Sequence, residues 1–446
     1  MARPVMQIAP RKELSLFDST CIIVGIIIGA GIYQMAPDIA KGAGSWWGVL
    51  LLWVVGGLLS LCGALCYAEL ATAYPREGGD YVYLSRAYGK WAGFLFGWEQ
   101  LTVVRPGDIA VMAFAFATYM RAIWDPLAGH PAYSQRLFAA VATIILTFIN
   151  ILGVKEGKWT QNLLTVVKAL GLLAIVGVAV FAPQRGATEA TFNPLPVSLV
   201  LIFVLFTYGG WNEMAYVAAE VKNPRHNIVR ALVFGTGAVI LLYLLVNSAF
   251  LYTLGYTGLA TSEAVASDAI ATTFPRIGGR LISALVCISA LGAVNGLIFT
   301  GARISYAMGA EHRTFRVLGR WHERTGTPVW ALLVQGIIAL SLIMVFGTFI
   351  DTILYTAAAV YAFYLGTSLA VIVLRFKEPN VERPYKVTGY PVTTLIFSAV
   401  CAFLIYSCVT YALATRRVSI IVLLSVLAAG MVVYWLTDVR GSAQGK

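Results

Sequence analysis

The chain has 446 residues, of which 59% are hydrophobic and 12% charged, and it carries a formal net charge of +11. Such a composition cannot clothe a water-soluble surface, which excludes a soluble enzyme or nucleic-acid-binding domain and makes the chain a polytopic membrane protein. The positive charge then bears on topology rather than on an anionic partner.

Residues 1–14 are polar, and the apolar run that follows is too long for a secretory signal and lacks a small-residue cleavage site, so it reads as a retained first span. At about 20 apolar residues per span, twelve segments appear, at 17–40, 46–73, 91–120, 136–154, 160–182, 196–219, 228–254, 279–307, 329–347, 350–374, 391–412 and 418–437. Twelve spans put both termini on one side. Loops on that side hold Arg11, Lys12, Arg76, Arg86, Lys90, Lys155, Lys158, Lys222, Arg303, Arg313, Arg316, Arg375 and Lys377 among others. The opposite side holds Lys41, Arg121, Arg136, Arg185, Arg276, Arg280, Arg416 and Arg417. This bias of roughly three to one places both termini in the cytoplasm of a cell (plasma or inner) membrane. The basic loop 303–327 is expected to sit at anionic headgroups. The six cysteines fall within apolar segments without metal-ligand spacing and read as packing residues.

Arg105 and Lys168 remain inside spans, where a charge needs a cavity or a partner. Asp108 follows Arg105 by three residues on one helical face, so an intrahelical ion pair is one reading and a carboxylate bordering a pocket is the other. Lys168 either snorkels to the inner surface or serves a buried role. Glu69, Glu99, Glu213 and Glu220 are expected to have structural or gating partners. The polar stretch 258–274 is long enough for short helices, as a lid or a plain connection.

Two spans are interrupted, the first at Gly29-Ala30-Gly31 and the sixth at Tyr208-Gly209-Gly210-Trp211-Asn212. In hydrocarbon an unwound turn is tolerated only where protein or a water-filled cavity meets its freed groups, and paired breaks mark the substrate site of secondary transporters. At the first break the helix resuming near Ile32 offers free N–H groups and a positive dipole end, a seat for a carboxylate. Close helix packing through small residues is the alternative there. At the second break the polarity reverses, because a half-helix ending near 206–208 leaves carbonyls for an ammonium group. Together they describe an α-amino acid. Placement of the breaks also implies two inverted repeats, 1–182 and 196–374, with 391–437 added outside.

Several stretches resemble the amino acid, polyamine and organocation superfamily, specifically its L-type amino acid transporter branch, in a prokaryotic-like form. LFTYGGWNEMAYVAAEVKNPRHNIVRAL (205–232) resembles the family's span six, VGIIIGAGIY (24–33) its unwound span one, and CYAELATAYPREGGDYVYL (66–84) span two and the inner loop. VVRPGD (103–108) resembles an element of span three, VKEGKWTQNLLTVVKALGLLAI (154–175) span five, and ALGAVNGLIFTGARISYAMGAE (290–311) span eight. The resemblance implies an all-α single transporter domain of twelve transmembrane helices, a LeuT-like 5+5 inverted repeat with helices one and six broken. It implies a substrate carboxylate held by the N–H groups of Ala30 and Gly31, and an amino group held by the carbonyls of Ile27, Phe206 and Gly209. Phe206 would close over the substrate, and Trp211, Asn212, Asp108 and Asn295 would border the pocket. Asn212 has the alternative of satisfying the broken backbone. Ala30 departs from the serine most common in the family's Gly-Ser-Gly, removing a hydroxyl that can assist the carboxylate.

Lys168 matches a span-five lysine that stands where sodium-coupled relatives bind a cation, which implies sodium independence or a coupling proton. A bundle of spans one, two, six and seven would rock against a scaffold of three, four, eight and nine. The implied function is exchange of neutral amino acids by an antiporter, with proton-coupled uptake or cationic amino acid and polyamine transport as alternatives. A non-transporting amino acid sensor would normally carry an added domain, and the sequence lacks the metal-ligand clusters of a membrane enzyme and the repeats of a channel filter. No enzyme activity, cofactor, metal or nucleic acid is expected. Eukaryotic members of the branch join an ancillary glycoprotein through a cysteine between spans three and four. The loop 121–136 has none, so a disulfide-linked heavy subunit is not expected.

Overall fold

The computed structural model describes residues 11–182, 192–274, 278–345, 349–415 and 417–443. Arg185, Arg276 and Arg416, used in the charge comparison, lie outside the described residues. The described chain is helical, without a strand ladder; only the isolated bridges Leu14–Val221 and His322–Thr327 occur.

Helix α1 (Leu16–Ile27) opens on a capping box, in which the Ser15 hydroxyl and the Asp18 carboxylate each accept the other residue's backbone N–H. It stops at Ile28, and α2 (Gly31–Gln34) and α3 (Ala36–Ala43) follow. Next come α4 (Trp46–Ala73), capped by Ser45, and a short α5 (Asp80–Tyr88). Helices α6 (Lys90–Glu99) and α7 (Arg105–Ile123) are joined by a π-helical turn, Gln100–Val104. The wide turn falls where Pro106 cannot donate to the carbonyl four residues back. Then come α8 (Pro131–Leu152), α9 (Val154–Phe181), α10 (Val197–Thr207) and α11 (Glu213–Tyr216). Helix α12 (Pro224–Thr261) starts on a proline after left-handed Asn223 and kinks at Gly255, and α13 (Val265–Ala271) lies within the polar stretch expected to hold short helices. The chain closes with α14 (Gly278–Glu311), α15 (Val329–Val345), α16 (Phe349–Lys377), α17 (Val392–Thr415) and α18 (Arg417–Ala443).

Among the described residues nine helical stretches are long and apolar enough to cross a bilayer, with shorter apolar helices at Val197–Thr207, Val329–Val345 and Leu423–Thr437. This is a multi-pass membrane protein.

Helix α14 is central, packing on α1, α7, α8, α9 and α15. Its small residues make room for long side chains from those neighbours. A Cβ at Gly292 would stand 2.7 Å from Lys168 Nζ, and one at Gly301 would collide with the Arg105 side chain.

Polar contacts gather at the face that bears the N-terminus. There the Leu14 N–H donates to Glu220 O at 2.9 Å, and Lys222 N–H to Leu14 O at 2.8 Å. Asp18 of α1 meets Lys158 at 3.2 Å and Asn162 at 2.6 Å, both on α9. Glu69 of α4 accepts from Arg375 of α16 at 2.9 and 2.5 Å. Arg303, expected among the loop charges, is instead fully buried on α14, donating to Glu220 at 2.7 and 3.2 Å. A guanidinium this deep needs a carboxylate, and Glu220, itself fully buried, supplies it.

Replacing one partner strands the other charge. Arg303→Met is expected to cost about 3–5 kcal/mol, read as a lowered unfolding temperature in detergent, and Glu220→Gln added to it is expected to recover part of the loss.

Candidate functional site

The two breaks are pressed together. A Cβ at Gly31 would stand 3.1 Å from Thr207 Oγ1, and one at Gly210, whose φ is 115°, would stand 2.7 Å from Ile26 Cγ2 and 3.1 Å from the Ile27 nitrogen. Gly31 thus lets α2 meet the end of α10, and Gly210 lets the span-six break meet the end of α1.

At the end of α1, carbonyls released by the break are taken by donors from three other helices. Lys168 of α9 donates to Gly25 O at 2.5 Å, Ile28 O at 2.8 Å and Ser289 O at 3.1 Å. Ser289 of α14 brings its hydroxyl to Ile28 O at 2.9 Å and Gly29 O at 3.1 Å. Tyr243 of α12 brings its hydroxyl to Ile27 O at 2.8 Å and Thr207 O at 3.3 Å, bridging the two breaks. Lys168 is fully buried, so the snorkelling alternative is excluded.

The N–H groups of Ala30, Gly31 and Ile32 have no backbone acceptor among the described residues. At the second break, Phe206 O accepts the Gly209 N–H at 2.9 Å, whereas Gly209 O has no backbone donor among the described residues. Ile27 O already accepts the Gly29 N–H at 2.8 Å besides Tyr243.

A cavity opens at this meeting point. It is lined by Gly29, Gly31, Gly209, Gly210, Asp108 and Glu213 and by apolar side chains that include Leu205, Phe206, Tyr361, Val400 and Leu404. Trp211 and Tyr364 also line it. Arg105 does not pair with Asp108. Its guanidinium donates to both oxygens of Glu213 at 2.9 and 3.0 Å and lies over the Tyr216 ring. The nearly fully buried Glu213, which Thr300 also reaches at 2.5 Å, needs the counter-charge, whereas Asp108 can turn to the cavity. Asp108 makes no hydrogen bond or ion pair with a described side chain.

Two residues expected at the pocket are elsewhere. Asn295 faces α8 and α9, accepting from Asn150 at 2.9 Å and donating to Gly157 O at 3.2 Å and Gln161 at 2.9 Å. Asn212 donates to the Tyr216 hydroxyl at 2.7 Å and accepts from Tyr364 at 2.9 Å, so it links side chains behind the cavity and does not satisfy the broken backbone. Ala30 is fully buried and does not line the cavity, whereas its neighbours Gly29 and Gly31 do; its methyl clusters with Ala115 and Ala290. Glu99, unlike Glu69, Glu213 and Glu220, is fully buried with neither oxygen partnered among the described residues. Tyr243, Ser289, Thr300 and Tyr364 went unread in the sequence. Their only signal is a hydroxyl within an apolar run.

The sequence profile described as "Amino acid permease" matches residues 14–436. The chain belongs to the amino acid permease family. This permease is 33% identical to the b(0,+)-type amino acid transporter 1 of Mus musculus, over 87% of this chain and 81% of the relative. It is also 33% identical to the large neutral amino acids transporter small subunit 2 of Homo sapiens, over 96% of this chain and 81% of the relative. The family lies within the amino acid, polyamine and organocation superfamily and comprises membrane transporters, not enzymes.

The bridging hydroxyl gives a test of how the breaks are held. Tyr243→Phe in this permease leaves the ring packed but removes a donor from Ile27 O. The expected loss is about 1 kcal/mol of stability, measured by thermal shift, with substrate affinity lowered roughly fivefold.

Proposed function

We propose that this permease is a sodium-independent secondary transporter of L-amino acids that works by alternating access and exchanges neutral substrates. One observation carries the reading: two helix breaks meet at a cavity, one offering unpaired N–H groups and the other a free carbonyl. The substrate carboxylate takes the N–H groups of Ala30 and Gly31. Its ammonium takes the carbonyls of Gly209 and Phe206 and shares that of Ile27 with Tyr243. Phe206 closes over it, and Trp211 lies beneath. The apolar side chains of the cavity lining and the relative named for large neutral amino acids support a neutral side chain.

Lys168 does the work of a coupling cation, because a tethered ammonium already holds the end of α1. Nine long and three shorter apolar helices support twelve spans in an inverted 5+5 arrangement with two helices added. The excess of basic residues on the N-terminal side supports cytoplasmic termini in a cell membrane. α1, α4, α10, α11 and α12 rock against α7, α8, α14 and α15.

Asp108 favours a second reading. Arg105, which does not line the cavity, neutralises the lining residue Glu213, leaving Asp108 as a carboxylate that suits a basic side chain.

Counterflow in proteoliposomes against a panel of amino acids tests the function, and it is expected to persist when choline replaces sodium. A strict sodium requirement would remove the role given to Lys168. Gly31→Val is expected to abolish binding, since its Cβ alone already crowds Thr207; unchanged affinity would refute the carboxylate seat. Asp108→Ser is expected to lower the ratio of lysine to leucine counterflow roughly tenfold if the carboxylate selects cations, and to leave it unchanged if the site is purely neutral.

A further inference from the structure

Asp80, the first residue of α5, lies outside the membrane-spanning helices, yet its side chain is fully buried. Its Oδ1 accepts the hydroxyls of Tyr67 on α4 and Thr367 on α16, and its Oδ2 accepts the Tyr216 hydroxyl of α11 at 2.8 Å. The chain of bonds continues to the cavity. Asn212 Nδ2 donates to Tyr216 at 2.7 Å, and the hydroxyl of Tyr364, a cavity residue, donates to Asn212 Oδ1 at 2.9 Å. A hydroxyl has one proton to give, and each here is given in the direction of Asp80, so the network runs one way from cavity to carboxylate. Trp211, also at the cavity, packs edge-on against Tyr67 at 5.1 Å and tilted against Tyr364 at 5.4 Å. Two of the rings that frame it are thus fixed by hydroxyls of one network.

We propose that Asp80 is a positioning residue of the transport cycle, coupling the cavity through Tyr216, Asn212 and Tyr364 to closure of the N-terminal face. The proposal rests on the reading that the cavity takes the substrate. A substrate that shifts Tyr364 or Trp211 breaks the network at its cavity end. Opening the N-terminal face carries α4 and α11 together away from α16, so the network parts at Asp80, where water enters in place of the Thr367 hydroxyl. Neither end moves alone, because α4, α11 and α16 share one acceptor.

The knot also carries a pH dependence. Burial pushes the Asp80 carboxyl up to about 6, against the three hydroxyls that favour its charged form. The titratable groups facing it are Tyr67 from α4, Tyr216 from α11, Tyr364 from α16 and Tyr83 from its own helix. Asp80 makes no ion pair among the described residues. With the face open, water returns Asp80 toward an ordinary carboxylate value, so the closed form binds the proton more tightly. Lowering the pH from 7 to 5 therefore favours closure, by about tenfold. Glu77, pushed up to about 7 by burial and by the Glu220 carboxylate, titrates nearby and must be separated.

Asp80→Asn and Tyr216→Phe cut the network without touching the cavity, and both are compared in proteoliposomes with the unmodified permease and Glu77→Gln. The expected result is a roughly tenfold lower exchange turnover in both variants, with substrate Kd within about twofold. Asp80→Asn is also expected to lose the slope of turnover between pH 5 and 7 that Glu77→Gln retains. Asp80→Glu, which restores the charge, is expected to recover part of the turnover. Wild-type turnover and pH profile in both variants overturn the proposal, as does a loss confined to Kd. Failure of the unmodified permease to exchange any amino acid would instead refute the functional reading.

Discussion

A helix that breaks inside an apolar protein must have its backbone groups met by something, and the architecture around the site follows from how that demand is divided. An unpaired buried carbonyl costs roughly 1–3 kcal/mol, so several left at the end of α1 would consume much of the stability of a domain. Here they are met by Lys168, Ser289 and Tyr243, which come from α9, α14 and α12. Each donor fastens the break to a different neighbour. The N–H groups on the other side of the same break have no such partner among the described residues. One polarity is spent on structure, and in the proposed function the other receives the substrate carboxylate.

The same division explains the small residues around the break. Lys168 reaches α1 alongside α14, and it can do so because Gly292 has no side chain; a Cβ there would stand 2.7 Å from Nζ and 2.8 Å from Cε. Gly25 leaves room for Thr165 and Gln161, and Gly296 for Ile26. These glycines lie within helices at ordinary backbone angles, so they serve as space for another helix's side chain rather than as hinges. Gly210 is different, since its φ of 115° turns the chain where an L side chain would be strained as well as crowded.

The breaks were legible in the sequence because paired glycines within an apolar run leave a local mark, and most spans were legible because bilayer thickness fixes their length. Partners were not, since a partner is a relation between distant positions. Arg105 and Asp108 share a helical face, and spacing alone favours their pairing, yet the guanidinium goes to Glu213, 108 residues away in sequence. Spacing reports what one helix can offer itself. It is silent about the carboxylate a neighbouring element has buried. Arg303 failed for a related reason: in the sequence it opens a basic loop, and only the position of Glu220 makes it a core residue. Asn295 sits among motif residues but turns to Asn150 and Gln161, because an amide has four valences to satisfy and α8 and α9 offer them.

The placement of charge about α1 completes the logic. Lys168 contacts the α1 carbonyls from the side of α9 and α14 and is absent from the cavity wall, whereas Asp108 and Glu213 are in that wall. A cation facing the cavity would repel a substrate ammonium, and at 4 Å and an effective dielectric of about 20 two like charges cost about 4 kcal/mol. Away from the cavity the same charge acts on the peptide dipoles, steadying the negative end of the half-helix through the Gly25 and Ile28 carbonyls. The cation is therefore used where it fixes the backbone and withheld from the cavity in which a substrate ammonium is proposed to sit. That arrangement is available only to a residue on a neighbouring helix. A lysine on α1 itself would have to reach back past its own backbone to the same carbonyls.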